Sequence, residues 1–337
     1  MSVSPTRSKK VIILFDLLIP PFKNHDYSKF FKGIEWEAEK SVFTALKKLG
    51  HQPFMVGVFD DLKKLKKDIL KIKPDMIFNL AEAFAGRRDG EPELVSFLEE
   101  LGIPFTGNSS KTLQICKDKA LTKNILQKAG IKMPAGKISR HKQPLKKLSK
   151  LKFPLFIKPT KLESSEGISK DSLVFTHSEA LRRIQKLHKR FAHDILAEEF
   201  ISGRELYVSV FEHQGKVRVL PIRELNFKKY PGKGFRFATY QTKWDEKFRK
   251  KWKIENGFAK KILKNQIAQM ETTAKKVFKT LKLRSYVRLD FRLCEKTGDA
   301  FLLEVNPNPS LSSYDDFARS AKREGMEFHK LVKILLN

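Results

Sequence analysis

The sequence predicts an α/β protein of several lobes, opening on a parallel sheet, and three observations carry that reading. At 337 residues the chain exceeds one small core, since domains hold about 100 to 150 residues. Its first hundred residues alternate short apolar runs with helical spacing, the pattern of strand, crossover helix and parallel strand. Its later apolar runs are separated by tight turn residues instead, the mark of antiparallel hairpins.

Val11 to Leu18 is the first apolar run, Ile34 to Leu49 has helical spacing and stops at Gly50, and Phe54 to Phe59 is apolar again. Asp75 to Leu80 supplies another buried strand after Pro74; Pro92 to Leu101 reads as a helix closed by Gly102, and Ile103-Pro104-Phe105 as a short extended piece ending at Gly107. Residues 1 to about 110 therefore form the first lobe. Lys111 to Gly130 reads as a helical pair, followed by a Lys-rich connection and the strand Phe153 to Lys158, so a second lobe covers residues 111–201. In the third, residues 202–337, Leu206 to Phe211 and Val217 to Ile222 pair across His213-Gln214-Gly215. The strand Ile195 to Phe200 closes the second lobe, and the third also contains a basic loop over 228–253 and a helix ending near Leu281.

Lysine and arginine total 68 against 38 acidic residues, a net charge of +30. The basic residues are scattered over segments that read as helix faces and loops, and no homeodomain, zinc-finger or RNP-type signature accompanies them, so specific nucleic-acid binding is not expected. Cys116 and Cys294 lack metal-ligand spacing and suit a reducing cytoplasm as plain packing residues. Lys9-Lys10 before an apolar run imitates a secretion signal, but Asp16 interrupts the run and Pro20-Pro21 follows without a cleavage site. No run approaches the roughly 18 apolar residues of a spanning helix, so no membrane insertion is expected.

The chemistry is most legible in the final hairpin, Tyr286 to Leu293 and Ala300 to Asn306, around the turn Glu295-Lys296-Thr297-Gly298-Asp299. A turn centred on Thr297 sets Arg288 opposite Asn306 and Asp290 opposite Glu304, and alternation puts Leu289, Phe291, Leu303 and Val305 on the buried face. Carboxylates directly opposite each other destabilise a sheet unless compensated. Magnesium favours hard oxygen ligands and shares them with nucleotide phosphates, and Asp290, Glu304 and the Asn306 amide oxygen supply such a set. Arg288 is then placed to neutralise charge on the reacting group. Alone, the hairpin reads more readily as an amphipathic one whose polar face meets water.

Glu304-Val305-Asn306-Pro307-Asn308-Pro309 resembles the terminal E-x-N-x-x-P metal motif of the D-alanine–D-alanine ligase family of the ATP-grasp superfamily. Gly102 to Ser109 is similar to its G-x-P-Y-T-G-S segment, Asp118-Lys119 to its D-K-x-x-x-K stretch, and Phe153 to Pro159 with Ser164 to Ser169 to its central strand, lysine and phosphate loop. The order holds from about residue 78 onward. The resemblance implies an ATP-grasp fold, with ATP held between the small central lobe and the C-terminal lobe. It also implies an ATP-dependent carboxylate–amine ligase that forms an acyl phosphate and then an amide, using magnesium or manganese, two ions. On it, Lys119, Lys158 and Lys243 contact phosphates; Ser164 and Ser165 belong to the loop that covers them. Glu198, Glu199, Phe200 and Ile201 form the adenine hinge, Glu205 accepts from ribose hydroxyls, and Arg288 with backbone amides near Ser310 stabilises the oxyanion. Partners are a small carboxylate and a small amine, and a homodimer through the first lobe would be ordinary.

The chain also departs from that pattern. The family's N-terminal G-G-x-S-x-E is absent, leaving Glu35 as a candidate for a substrate ammonium; Trp244 stands where a tyrosine is usual; and Ser310 replaces a glycine. Asp315 and Asp316 fall near the place of a serine that receives the second substrate's carboxylate, and an acid there argues against D-alanine as acceptor. Glu163 and Glu166 put anions into the phosphate loop. Two alternatives therefore stay open: an ATP-grasp ligase for a different amino acid, amine or metabolite, and a basic binding protein that has lost turnover.

Overall fold

A computed structural model describes residues 7–20, 27, 33, 36–163, 165–231 and 236–336. The first sheet is parallel, with β1 (Lys10–Asp16) between β2 (Gln52–Val58) and β3 (Met76–Asn79); α1 (Glu37–Lys48), α2 (Leu62–Ile72) and α3 (Glu91–Glu100) belong to its crossovers. The unbroken apolar run Val11–Phe15 is what a strand covered on both faces requires. Ile12 and Leu14 point to one side, meeting Leu65 and Ile69 of α2 and Leu94 and Leu98 of α3. Val11 and Ile13 point to the other, where Val42 and Leu46 of α1 are joined by residues from the far end of the chain.

Next come α4 (Ser110–Lys117) and α5 (Lys119–Lys128), joined through Asp118, whose carboxylate accepts from the amides of Ala120 and Leu121, both at 3.0 Å, and so caps α5. Their apolar faces, with Cys116 and Leu126, join the core beneath the large C-terminal sheet. The central sheet is antiparallel, in the order β4 (Gly136–Ser139), β7 (Ile195–Glu199), β5 (Leu155–Pro159), β6 (Leu173–Val174), with α6 (His177–Phe191) across one face. Leu155 and Ile157 of β5 and Ile195 and Ala197 of β7 meet Ala180, Ile184 and Leu187 of α6. By alternation Phe156, Lys158 and Glu198 emerge on the opposite face.

The C-terminal sheet runs β11 (Ile254–Phe258), β10 (Arg223–Phe227), β8 (Gly203–His213), β12 (Tyr286–Cys294), β13 (Ala300–Asn306), with β9 (Lys216–Val219) also paired to β8. Gln214 and Gly215 close the β8–β9 turn with φ of 51° and 71°, the positive pair a two-residue hairpin turn demands. The inner face of this sheet, including Leu206, Val208, Leu289 and Phe291, packs on Met270, Ala274 and Val277 of α9 (Lys264–Thr280). Its outer face carries Glu205, Arg288, Asp290, Arg292 and Glu304.

The basic stretch read as a loop is largely ordered: α7 (Tyr240–Trp244) and α8 (Glu246–Trp252) lie within it, capped by Thr239 and Asp245. The run of lysines concealed those caps and the helical spacing of Phe248 and Trp252. Finally α10 (Asp316–Arg323) and α11 (Phe328–Leu335) return to the first lobe, placing Phe317, Leu331 and Val332 against Val11, Ile13 and Leu46. Among the described residues no helix is long and apolar enough to cross a membrane.

Candidate active site

β12 and β13 pair Arg288 with Asn306 and Asp290 with Glu304. The register then shifts between Asp290 and Phe291, so that Phe291 pairs with Leu302. Leu303 is the extra residue of this bulge, and the expectation that it lies on the buried face is corrected: Leu302 enters the core, whereas Leu303 lines the cleft beside Glu304. A uniform register read from turn length cannot foresee a bulge, which re-aims one side chain to the other face.

Asp290 is held by a bidentate guanidinium, with Arg288 Nε and Nη2 at 2.8 and 3.1 Å from its two oxygens. Burial raises the Asp290 carboxyl even with that partner, and more weakly Glu304 does too. Glu304 takes Lys119 Nζ at 2.9 Å. Burial opposes its ionisation as well, but Lys119 and Lys158 hold its carboxyl down at about 2. Lys119 also donates to the Leu162 carbonyl at 2.5 Å, just before the loop expected to cover phosphates. Lys158 and Lys243 line the same crevice as Asp290 and Glu304.

One turn beyond Lys119 on α5, Lys123 donates to Glu198 at 2.9 Å, and Lys158 reaches the other Glu198 oxygen at 2.5 Å. Burial opposes the charges of Glu198 and Lys158, but their attraction to oppositely charged neighbours outweighs it: Glu198 is held below and Lys158 above its ordinary range. Lys123 is absent from the residues singled out in the sequence, although its i,i+4 spacing from Lys119 put both ammonium groups on one helix face.

Glu198, Glu199, Phe200 and Ile201, expected as a hinge, border the crevice with Phe156 and Phe237. The amides of Glu199 and Phe200 donate to Ala135 and Pro154 carbonyls at 2.8 and 2.9 Å, and the Ile201 carbonyl accepts from Arg292 Nε at 3.0 Å. Glu205 accepts from Arg292 Nη1 at 2.9 Å, the Ala238 amide at 3.1 Å and the Tyr207 hydroxyl at 3.1 Å. Arg292, two residues beyond Asp290 on the same strand face, thus organises both Ile201 and Glu205; strand alternation puts it on the site face but does not name these partners. Ser165 lines the crevice. Ser164 and Glu35 lie outside the described residues.

Beyond the hairpin, Ser310 Oγ donates to Asp315 at 3.0 Å and the Ser312 amide to the same oxygen at 2.8 Å. Asp316 accepts from Arg223 Nε at 3.0 Å and from Asn256. Asp315 therefore tethers the Ser310 loop, and Asp316 is ion-paired with Arg223. Ser310 and Leu311 border a cavity of ≈ 770 Å³ that reaches Asp16, Glu39, Asn79, Glu82 and Trp36 in the first lobe.

A family described as D-ala D-ala ligase C-terminus matches residues 125–337. The D-alanine–D-alanine ligase of Aquifex aeolicus is 30% identical over 309 residues, covering 90% of this chain and 95% of that one. The chain belongs to the D-alanine–D-alanine ligase family. The crystal structure of the Bacillus anthracis D-alanine–D-alanine ligase complexed with ATP superposes with a TM-score of 0.71 at 19% identity, covering 97% of this chain and 96% of that one. The VanG D-Ala:D-Ser ligase of Enterococcus faecalis does so with a TM-score of 0.68 at 17% identity, covering 98% of each. The fold is ATP-grasp, and this member of the family is an ATP-dependent carbon–nitrogen ligase that acts on small molecules.

Proposed function

We propose that the chain joins two amino acids of the D-alanine type, phosphorylating the carboxylate of the first with ATP and releasing phosphate as the amine of the second attacks. The observation that carries the reading is the Asp290–Glu304 pair, aimed into the crevice that Lys158 and Lys243 also line. ATP lies there, with its adenine against Phe156, Phe200 and Phe237, its ribose toward Glu205 and its phosphates toward Lys119, Lys158, Lys243 and Ser165.

The donor set fits a divalent cation by its chemistry, two facing carboxylates with the Asn306 amide oxygen two residues further along β13. Asp290, Glu304 and Asn306 would hold magnesium or manganese, as two ions, which supplies charge neutralisation to the phosphates. The protein's own part is positioning and electrostatics. Lys119 and Lys158 draw the phosphate oxygens toward the strand ends, and Arg288 with the amides around Ser310 faces the developing oxyanion. The first-lobe cavity takes the amino acids. Because Asp315 and Asp316 are already engaged, D-alanine returns as a candidate acceptor beside other small D-amino acids. The lobes divide near residues 110 and 201, and a homodimer through the first lobe is carried forward on resemblance alone.

In that cavity Glu39 of α1 replaces Glu35 as the carboxylate for a substrate ammonium. Burial, helped by Asp16 and Glu82, pushes its carboxyl up to about 7. A raised carboxyl pKa means that the group is neutral below that value and charged above it. The KM for the amino acid is therefore expected to fall as pH rises through about 7, and Glu39→Gln to flatten that dependence and weaken binding about tenfold, as for a lost charge-assisted hydrogen bond. The deciding assay is ADP release with D-alanine and a panel of D-amino acids, with and without magnesium. Nucleotide binding without turnover on the whole panel would sink the ligase reading of this site in favour of a binding protein.

A further inference from the structure

The acid at Glu163 is the least expected feature of the phosphate loop, since it sets an anion beside an anionic ligand. In the structure its two oxygens lie 3.0 and 3.1 Å from Lys117 Nζ, at the end of α4. The same ammonium is 2.8 Å from Glu91 Oε2, at the start of α3. The other Glu91 oxygen accepts from Asn308 Nδ2 at 2.8 Å, and Asn308 Oδ1 accepts from the Asn108 amide at 3.0 Å. Asn308 lies two residues past Asn306 and borders the first-lobe cavity. A single chain of contacts thus links the substrate-side loop, the first lobe, α4 and the phosphate loop.

Its members are unequal. The side chains of Lys117 and Glu91 are 9% and 6% exposed, that of Glu163 26%. Glu91 and Lys117 form the buried, fixed part, because separating them would strand a charge away from water. Glu163 is the part that can leave, since Lys117 keeps Glu91 when the loop moves. Glu166, by contrast, is exposed.

We propose that Lys117 and Glu163 are positioning residues that tie the phosphate loop to the substrate side of the site, so that the loop is held over ATP by the same contacts that hold Asn308. This rests on the ATP crevice proposed above. Neither side chain touches a reacting atom; the pair acts by keeping water from the phosphoryl group until the amine attacks. Loosening it lets water take the amine's place, so that ATP and water give ADP and phosphate without an amide.

The test measures three quantities on Glu163→Gln, Lys117→Met and the double variant: the dissociation constant of a non-hydrolysable ATP analogue by calorimetry, the KM for ATP against kcat, and ADP released per amide formed. Glu163→Gln is expected to weaken nucleotide binding and raise the KM for ATP about tenfold, the size of one charge-assisted contact. It should lower the rate of amide formation more than the rate of ADP release, and so raise ADP per amide above one. In the Lys117→Met background the same change should add nothing further. Lys117→Met leaves Glu91 buried beside a second acid, so its fold is checked by circular dichroism, and Glu163→Gln alone decides if it is unfolded. An unchanged dissociation constant and an unchanged ADP-to-amide ratio in Glu163→Gln overturn the proposal, as does full additivity in a folded double variant. Calorimetry reads the pair even in a protein without amide synthesis, which separates its failure from failure of the ligase reading.

Discussion

Glu304→Gln is expected to lower kcat by about a thousandfold, roughly 4 kcal/mol of transition-state stabilisation, while the protein still folds. The amide keeps the shape of the side chain and removes the charge that Lys119 and a divalent cation would share. Linkage gives a second signature. The Glu304 carboxyl is held at about 2 against an ordinary 4.5; a depressed carboxyl contributes stability above its unfolded value and loses it as pH falls through the folded one. The wild-type denaturation midpoint should therefore drop more steeply between pH 4.5 and 2 than that of the variant. Steady-state ADP release and urea titrations across that range check both. A variant with kcat within tenfold of wild type would remove Glu304 from the phosphoryl-transfer site.

Lys158→Met strikes stability and turnover together. The ammonium is buried against Glu198 at 2.5 Å, and although Glu198 keeps Lys123 at 2.9 Å, half of its compensation goes. Removing one partner of a buried pair costs about 3 kcal/mol or more, and losing a phosphate contact is expected to cut ATP turnover at least about a hundredfold. Glu198→Gln in the same chain strands the buried Lys123 ammonium as well and is expected to lower stability further, with no turnover regained. Urea denaturation and ADP release separate the two effects. Should the double variant regain activity, Lys158 would be structural only.

Much of this was legible because the site is made by alternation. The pairing of Asp290 with Glu304 follows from strand period and turn position, and the parallel first sheet follows from the alternation of apolar runs with helical spacing over the first hundred residues. What was not legible is what depends on partners distant in sequence. Nothing near Glu163 announces Lys117, and nothing near Glu205 announces Arg292, whose side chain looked like one more charge on a basic chain. Leu303 was misassigned because a bulge is a property of two strands together. The helices within 228–253 were hidden by charge, since lysine-rich faces mask the few aromatics that anchor them.

The return of α10 and α11 to the opening sheet has a consequence for biosynthesis. Part of the layer that covers Val11 and Ile13, namely Leu331 and Val332, leaves the ribosome more than three hundred residues after them. The first lobe must wait, partly uncovered, until α11 has emerged before its interior is complete.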